Sequence, residues 1–325
     1  MRLVNKFKNI LRPPYYKLLD FYKKITAPKP LGYIFMLHRV DDFEEGHLWP
    51  NEHMKVTPDF LDKSLKELSK KYDFISIKDV NERLKSKNKR KFIVFTSDDG
   101  YKDNYTKALP VFKKYNVPFT IYVTTNFPDK EAILWWYELE DLLLNNTAVE
   151  LSNGKRFVAE TYEQKCDVFL AIREEILKLD QENIVPELNK LFSKYKIDWS
   201  GKCNELCMSW DDLKKLKDEP LVTIGGHTKH HYNLKQLADE EKVSDEVKDG
   251  CNLLKEKTGI DVQVFAYPFG SPSEAGEREF KVLSKFGFKN SVIAYGGACN
   301  INNCKNKDSL PRIMFKQDFN IKELK

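Results

Sequence analysis

The chain has 325 residues and a formal net charge of +5, and 41% of its residues are hydrophobic and 32% charged. This composition supports a large buried core and excludes a disulfide-stapled miniprotein, a collagen-like repeat and a wholly disordered chain. No apolar run approaches the roughly 18 residues of a membrane-spanning helix. We therefore expect a soluble globular protein.

Residues 1–30 form a basic leader. They hold eight basic residues and one acidic residue, a net charge of +7, so the remaining chain carries −2. Apolar side chains alternate with these charges, a pattern typical of a helix on an anionic membrane surface. A solvated helix packed against the folded part of the chain is an equally good alternative. Charges interrupt every apolar run, so we expect no secretory signal and a cytoplasmic protein that can touch the inner face of the membrane. The slightly acidic body disfavours nucleic-acid binding.

Short apolar runs alternate with helical patterns from Leu31 onward. The predicted strands are Gly32–Val40, Phe92–Thr96, Phe119–Thr125, Leu221–Gly225, Val262–Tyr267 and Ser291–Tyr295. The predicted helices are one that begins at Thr57-Pro58, Asn104–Tyr115, Asp239–Lys257 and Glu277–Phe286. This alternation predicts an α/β fold with a parallel sheet, either a barrel or an open sheet, over residues 31–325.

Residues 128–215 interrupt this alternation. They show helical patterns without a convincing strand, so we expect a mostly helical insertion that folds over one mouth of the sheet. Trp135, Trp136 and Trp210 offer faces on which a sugar can stack, although buried core aromatics are the expectation for all three.

The six cysteines are expected to be reduced thiols, because the chain is long and shows no export signal. A four-thiolate zinc site made of Cys203, Cys207, Cys299 and Cys304 is the weaker alternative, since the spacings are looser than the usual C-x2-C pattern.

Two adjacent carboxylates, Asp98 and Asp99, come directly after the predicted strand Phe92–Thr96. Buried carboxylates need a cation or hydrogen bonds, and functional side chains gather at the carboxyl ends of parallel strands. Gly100 allows a sharp turn that brings both carboxylates to one cavity. The alternative is an ordinary Asp-Asp-Gly surface turn.

Three of the six histidines lie within five residues, directly after the predicted strand Leu221–Gly225. His227 and His231 are four positions apart, so on one helical turn their imidazoles share a face and can chelate a metal. Two imidazoles and one carboxylate leave a position of a Zn2+-like ion open, as catalytic zinc sites do. Together with Asp98 and Asp99, this pair favours a metal site over a surface loop.

These segments resemble the polysaccharide deacetylases that share the NodB homology domain. The matching segments are Met36–Val40, Phe95–Tyr105, His227–Leu234, Phe265–Gly270 and Leu310–Ile313, which span residues 31–315. The resemblance implies a distorted parallel (β/α) barrel that removes N-acetyl groups from amino sugars with a divalent metal. We expect Zn2+ among the first-row metals.

The resemblance also implies the metal site and the general base. Asp99, His227 and His231 are the implied metal ligands. Asp98 is the implied base, and beside a dication it stays ionised at neutral pH, ready to accept a proton from water.

Further residues follow from the same resemblance. The backbone N–H of Phe269 is the implied oxyanion donor, and Tyr101 and Arg312 are the other implied substrate or oxyanion contacts. In the branch of the family with circularly permuted motifs, which this sequence resembles, the general acid is a histidine of the first strand. We assign that role to His38, with a hydrogen-bonded strand-end histidine as the alternative.

Two positions depart from the family pattern. Ser97 replaces the aromatic residue that usually precedes the paired aspartates. Ala266 replaces an arginine that orients the base in many members, and Arg312 or Arg39 is a candidate substitute from another strand end.

The sequence therefore predicts a metal-dependent hydrolase that deacetylates an N-acetylated glycan or glycan precursor. Two alternatives remain open. One is a catalytically weakened carbohydrate-binding or scaffold protein, and the other is a deacetylase of a lipid- or nucleotide-linked sugar.

Overall fold

Twelve strands lie in residues 28–88 and 90–324, which are the residues that the computed structural model describes. They are β1 (Gly32–Leu37), β2 (Arg39–Val40), β3 (Lys55–Val56), β4 (Asp73–Phe74), β5 (Phe92–Ser97), β6 (Phe119–Val123), β7 (Ala148–Glu150), β8 (Arg156–Val158), β9 (Val222–Gly226), β10 (Val264–Ala266), β11 (Asn290–Gly296) and β12 (Leu310–Met314). Nearly all of the basic leader lies outside the described residues, so its membrane contact stays a prediction.

Eleven α-helices lie in the same part of the chain. They are α1 (Trp49–Glu52), α2 (Pro58–Leu68), α3 (Val80–Lys85), α4 (Leu109–Lys114), α5 (Trp135–Leu144), α6 (Tyr162–Ile176), α7 (Ile184–Leu191), α8 (Cys203–Leu206), α9 (Trp210–Lys217), α10 (Glu240–Thr258) and α11 (Glu277–Ser284). Short 3-10 turns cover Ile77–Asp79, Leu234–Gln236, Ile301–Lys305, Lys307–Ser309 and Ile321–Glu323, and a π-helical turn, Asn104–Ala108, precedes α4. None of the described helices combines the length and apolar character needed to cross a bilayer.

Local chemistry accounts for the helix that the sequence predicted at Thr57-Pro58. The Thr57 side chain accepts a hydrogen bond from the Phe60 N–H, and Pro58 occupies the first turn of α2, where its missing N–H costs nothing. Leu61 and Leu65 lie one turn apart on the buried face of this helix. Capping and apolar spacing therefore place the start of α2 where the sequence indicates it.

Seven strands close a parallel barrel in the order β1, β5, β6, β9, β10, β11, β12 and back to β1. Strand β4 lies outside this ring and pairs with the first residues of β5. The sequence left a barrel and an open sheet as alternatives, and the pairing of β1 with both β5 and β12 confirms the barrel.

One set of alternating side chains fills the barrel. Its buried members come from six of the seven strands of the ring and include Ile34, Phe92, Val94, Tyr122, Val264, Ala266, Val292 and Leu310. The residues between them in β1 and β5, such as Phe35 and Phe95, pack in a second cluster with α2 and α4. This alternation leaves the polar residues at the strand ends to line one mouth of the barrel.

Residues 128–215 lie between β6 and β9 and form α5 to α9 together with an antiparallel hairpin of β7 and β8. The sequence showed no convincing strand here, and that expectation was wrong. Each strand has only three residues, and only Val149 among them is buried, so the alternation is too short to detect. The helices pack around a core of their own that includes Leu139, Phe169 and Leu188.

Candidate active site

Polar side chains converge at the carboxyl ends of the barrel strands, where a cavity of about 460 Å³ opens. Asp98 follows β5, His38 follows β1 and His227 follows β9, and all three line the cavity. Side chains of the 128–215 insertion, Trp136 and Arg173 among them, form another part of its wall. The cavity thus lies between the barrel mouth and the insertion.

Asp99, His227 and His231 form a cluster that suits a metal ion. Each offers one ligand atom, and these atoms lie within 4.8 Å of one another. The Asp99 Oδ1 atom is 3.4 Å from His227 Nε2 and 3.2 Å from His231 Nε2. Burial alone raises the pKa of Asp99, but the two imidazoles outweigh it and hold this pKa well below its ordinary value. The carboxylate is therefore ionised.

The hydrogen bonding of His227 supports this interpretation. Its Nδ1 atom lies 2.7 Å from the carbonyl oxygen of Ala266, so Nδ1 carries the proton and donates it. The Nε2 atom of His227 lies on the other side of the ring and faces the Asp99 carboxylate at 3.4 Å, so a cation held between the two would be bound by both. A metal-binding histidine is commonly oriented by such a bond from its other nitrogen. Asp99 Oδ1 is buried without a hydrogen-bond partner among the described residues, which fits the same ion.

The backbone at the cluster is strained. Asp99, Thr228 and His231 have φ values of 79°, 68° and 65°, in the left-handed region that favours glycine. Gly100 follows with φ of 99°, so the sharp turn expected after the paired aspartates is present. The expected helical turn from His227 to His231 is wrong, because left-handed residues cannot continue a right-handed helix. The segment is instead a loop, and the His231 N–H donates to Thr228 Oγ1 at 3.1 Å.

Asp98 forms a buried bidentate ion pair with Arg312 of β12. Both Arg312 amino groups donate to the Asp98 carboxylate at 2.6 Å, and the two side chains are 4% exposed or less. Arg312 is itself held by the Ile293 carbonyl at 2.9 Å and by Thr96 Oγ1 at 3.1 Å. Burial raises the pKa of Asp98, but Arg312, through its charge and hydrogen bonds, together with the neighbouring His227 and His38 outweighs burial, so the pKa is lowered.

The ion pair identifies which arginine lies beside Asp98 in place of the arginine that Ala266 replaces. Of the two candidate substitutes, Arg312 contacts Asp98, whereas Arg39 donates to Asp103 and, at 2.9 Å, to Tyr137 Oη. The sequence also placed Arg312 among the substrate or oxyanion contacts. Four of its five N–H donors are occupied by Asp98, the Ile293 carbonyl and Thr96 Oγ1, so the geometry favours the positioning role.

His38 lies at the end of β1 and lines the cavity. Its carbonyl oxygen accepts hydrogen bonds from Ser97 Oγ at 3.1 Å and from Asn104 Nδ2 at 2.9 Å. Burial lowers the pKa of His38, opposed by the charges of Asp99 and Asp98. The small Ser97, which replaces the usual aromatic residue, thus fixes the backbone of His38.

Phe269 and Tyr101 also line the cavity. Phe269 follows β10 with φ of 57°, its ring contacts the His231 ring at 4.6 Å between centroids, and no described residue accepts a hydrogen bond from its N–H. The Tyr101 hydroxyl accepts a hydrogen bond from Trp136 Nε1 at 3.1 Å. The sequence offered Trp136 as a core aromatic, with a sugar-stacking face as the alternative; it packs partly buried against two hydrophobic clusters and also lines the cavity.

The cysteines are all free, and Cys203 and Cys207 lie with their Sγ atoms 3.6 Å apart. Asp99, His227 and His231 are the one group of three or more potential metal ligands found within residues 28–88 and 90–324. The four-thiolate alternative is therefore wrong.

Comparison with known proteins agrees with the fold. The family model for polysaccharide deacetylase matches residues 85–291. No curated protein sequence matches the chain. The Streptococcus pyogenes deacetylase PplD, solved with acetate, superposes with a TM-score of 0.59 at 18% identity, covering 92% of this chain and 97% of that one.

Two further solved structures are similar over most of their length. IcaB from Ammonifex degensii has a TM-score of 0.56 at 17% identity, with 90% of this chain and 94% of that chain covered. A de-N-acetylase from Aggregatibacter actinomycetemcomitans has a TM-score of 0.55 at 13% identity, with 90% and 97% covered. At these identities the likeness concerns the fold, whereas the family model covers more than half of the sequence. The chain therefore belongs to the polysaccharide deacetylase family.

Proposed function

We propose that this protein hydrolyses N-acetyl groups of amino sugars in a glycan, with a divalent metal as cofactor. The observation that carries the proposal is the ionised, buried Asp98–Arg312 pair beside the cluster of Asp99, His227 and His231 at one cavity. The chemistry of two imidazoles and a carboxylate suits Zn2+, although other first-row metals accept these ligands. A cation held there supplies Lewis-acid polarisation of the acetamide carbonyl and of water.

The side chains around the cluster support the remaining steps. Asp98 is the base that accepts a proton from the attacking water, and Arg312 keeps its carboxylate ionised and fixes its orientation. We assign the N–H of Phe269, which lines the cavity, as the donor to the oxyanion that develops on the acetyl oxygen. An amine leaves only when it is protonated, and His38 is the acid that donates this proton to the sugar nitrogen.

Acetate release tests the proposal. The purified chain with Zn2+ is expected to release acetate from short N-acetylglucosamine oligomers, and a chelator is expected to abolish this release until Zn2+ is restored. Asp98→Asn should bind zinc and lose turnover, because the amide cannot accept the proton. Asp249→Asn, at an exposed position of α10, is the matched control and should keep full activity.

Two outcomes contradict the proposal. Retained turnover in Asp98→Asn would show that another group is the base. A zinc-loaded protein that releases no acetate from any amino-sugar substrate would favour the carbohydrate-binding or scaffold alternative.

A further inference from the structure

His38 lines the active-site cavity, and its Nδ1 atom is buried without a hydrogen-bond partner in the part of the chain that the structure describes. A general acid must lie within hydrogen-bond reach of the nitrogen that it protonates, so the direction of the His38 ring matters for the proposed reaction. Because Nδ1 is unpaired, that direction depends on the backbone that carries the ring.

Two neighbouring side chains hold the backbone around His38. Asp103 Oδ1 accepts a hydrogen bond from the Val40 N–H at 3.2 Å, and Asn104 Nδ2 donates to the His38 carbonyl at 2.9 Å. Asn104 Nδ2 also donates to Asp103 Oδ1 at 3.2 Å, so the two side chains act on the backbone as one unit. Both are buried and lie in the segment that follows β5. The backbone from His38 to Val40 is therefore attached to this segment.

Arg39 lies between these two backbone contacts, and its side chain is held on three sides. Its Nε atom donates to Asp103 Oδ2, and its Nη1 atom donates to Tyr137 Oη at 2.9 Å. The guanidinium carbon lies 5.1 Å from the centre of the Tyr101 ring, within range of a cation–π contact. Arg39 is 7% exposed, so these contacts are shielded from water. A guanidinium donates in fixed directions, and its partners therefore fix both Arg39 and the Asp103 carboxylate.

The charge of Arg39 keeps Asp103 an effective hydrogen-bond acceptor. Burial raises the pKa of Asp103, and the charge and the hydrogen bond of Arg39 oppose this rise. A carboxylate accepts a stronger hydrogen bond than a neutral carboxyl group does. Removal of Arg39 therefore weakens the hydrogen bond between Asp103 and the Val40 N–H.

The same contacts reach the 128–215 insertion. Tyr137 lies in α5, and the neighbouring Trp136 donates from Nε1 to the Tyr101 hydroxyl at 3.1 Å. Tyr101, Trp136 and Tyr137 all line the active-site cavity. Arg39 thus joins the segment after β1, the segment after β5 and the wall that the insertion contributes to the cavity.

We propose that Arg39 is a positioning residue, which together with Asp103 holds the backbone of His38 so that its imidazole faces the sugar nitrogen. The inference rests on the proposed function, because that function gives His38 the role of the general acid. Arg39 acts through Asp103 and the backbone, and it transfers no proton itself. Loss of Arg39 is therefore expected to slow the step in which the amine leaves, while metal binding and substrate binding stay intact.

Arg39→Met tests the proposal through the leaving group. It should release acetate from N-acetylglucosamine oligomers about 10–100 times more slowly at unchanged KM, because a small displacement of a catalytic group is costly. Aryl acetates, whose leaving groups need no proton, should be slowed less than about twofold. Zinc per chain, measured by elemental analysis, should be unchanged. A variant that is merely less stable contains less active protein and slows both substrates equally, so an equal loss on both overturns the proposal.

Arg278→Met is the matched control. Arg278 pairs with the buried Glu279 at 2.6 Å, donates to the Leu234 carbonyl at 2.6 Å and to the Leu237 carbonyl at 3.0 Å, and does not line the active-site cavity. Like Arg39→Met, this variant leaves a buried carboxylate without its arginine, so it should lower the melting temperature. It should leave the ratio of the rates on the two substrates unchanged. A ratio that shifts as much as in Arg39→Met would show a general effect of stability and would count against the proposal.

Two conservative variants keep the proposal testable if Arg39→Met folds poorly. Arg39→Lys should be slowed less than Arg39→Met, because it keeps a positive charge beside Asp103. Asp103→Asn keeps an acceptor for the Val40 N–H, whereas Asp103→Ala removes it, so the alanine variant should lose about fivefold more of the rate on the amino-sugar substrate. Equal rates in Asp103→Asn and Asp103→Ala contradict the role of Asp103.

A spectroscopic readout separates this inference from the proposed function. In protein labelled with ¹³C-histidine, the imidazole NMR signal that is missing in His38→Gln belongs to His38. This signal should shift or broaden in Arg39→Met and stay in place in Arg278→Met, whether or not acetate is released. If the wild-type chain with Zn2+ releases no acetate but the His38 signal depends on Arg39, the proposed function fails and the backbone contact remains. If acetate is released and both the signal and the rate ratio are unchanged in Arg39→Met, the inference alone fails.

Discussion

Replacing Arg312 by methionine would remove one partner of a buried ion pair. The Arg312 side chain is fully buried and donates twice to Asp98 at 2.6 Å, so Asp98 would remain buried as an unpaired charge. Methionine keeps the aliphatic part of the side chain and introduces no polar atom that needs a partner. The perturbation therefore removes the charge and the donors of the guanidinium, together with the buried volume of its end group.

The expected loss of stability is about 3–5 kcal/mol, the usual cost of breaking a buried pair from one side. Against a total stability of about 5–15 kcal/mol this is a large fraction. With an unfolding entropy of roughly 2 cal/mol/K per residue, a chain of this size should melt about 5–8 °C lower. Turnover should fall as well, because Asp98 loses the group that keeps it ionised and oriented.

The loss of stability in Arg312→Met depends on pH, and its direction follows from the pKa of Asp98. The lowered pKa of Asp98 in the folded wild-type protein contributes stability that is present above the ordinary Asp value and is lost as pH falls through the lowered pKa. In Arg312→Met the largest influence that lowers the pKa of Asp98 is lost, while burial still raises this pKa. The stability difference between the two proteins should therefore grow as pH rises from about 4 toward neutral and shrink in acid.

A double-mutant cycle with Asp98→Asn measures the coupling directly. Chemical denaturation of the four proteins at neutral pH should give a coupling of about 2 kcal/mol or more, because the double variant leaves no buried charge unpaired. The pair of Lys63 and Asp59 is the matched control, with the same 2.6 Å separation but 72% exposure of both side chains. Its coupling should be at most about 0.5 kcal/mol. Additive effects of Asp98→Asn and Arg312→Met would refute the reasoning.

Three further outcomes are expected. Asp99→Ala and His227→Ala should lose bound zinc and activity together, measured as zinc per chain by elemental analysis. The control His47→Gln, at a half-exposed histidine that does not line the cavity, should keep both. Zinc retained at full stoichiometry in Asp99→Ala would contradict the ligand assignment. His38→Gln should keep zinc but release acetate from amino sugars about 10²–10⁴ times more slowly, with a smaller loss on aryl acetates, whose leaving groups need no proton; an equal loss on both substrates would argue against a general acid. Ser97→Ala should lower kcat modestly without loss of zinc, because it removes one of the two hydrogen bonds to the His38 carbonyl. An unchanged rate would show that the bond from Asn104 alone is enough to hold the His38 backbone.

Much of the barrel can be predicted from local pattern. β-branched and aromatic runs mark β5, β6 and β9, and the paired aspartates mark the point where β5 ends. The closure of the barrel cannot be predicted in this way, because β1 pairs with β5 and β12 across long stretches of chain. Strand β4, with two residues, is too short to give an alternation.

The candidate site, like the barrel, could be predicted from the sequence only in part. His227, His231 and the Asp98–Asp99 pair were found from residue type and strand-end position, and the family resemblance then selected Asp99 as the ligand. The structure brings Asp99, His227 and His231 together. Spacing alone suggested a helical turn, because a four-residue interval carries no information about left-handed φ values. The contact of Arg312 with Asp98 joins residues 214 positions apart, so sequence offered it only as one of two candidates.

Zinc-edge anomalous diffraction from crystals grown with Zn2+ tests the central claim most directly. We expect one strong peak per chain within about 2.0–2.2 Å of an Asp99 carboxylate oxygen and of the Nε2 atoms of His227 and His231. A peak bound elsewhere, for example at the Cys203–Cys207 thiols, in protein that releases acetate would contradict the account.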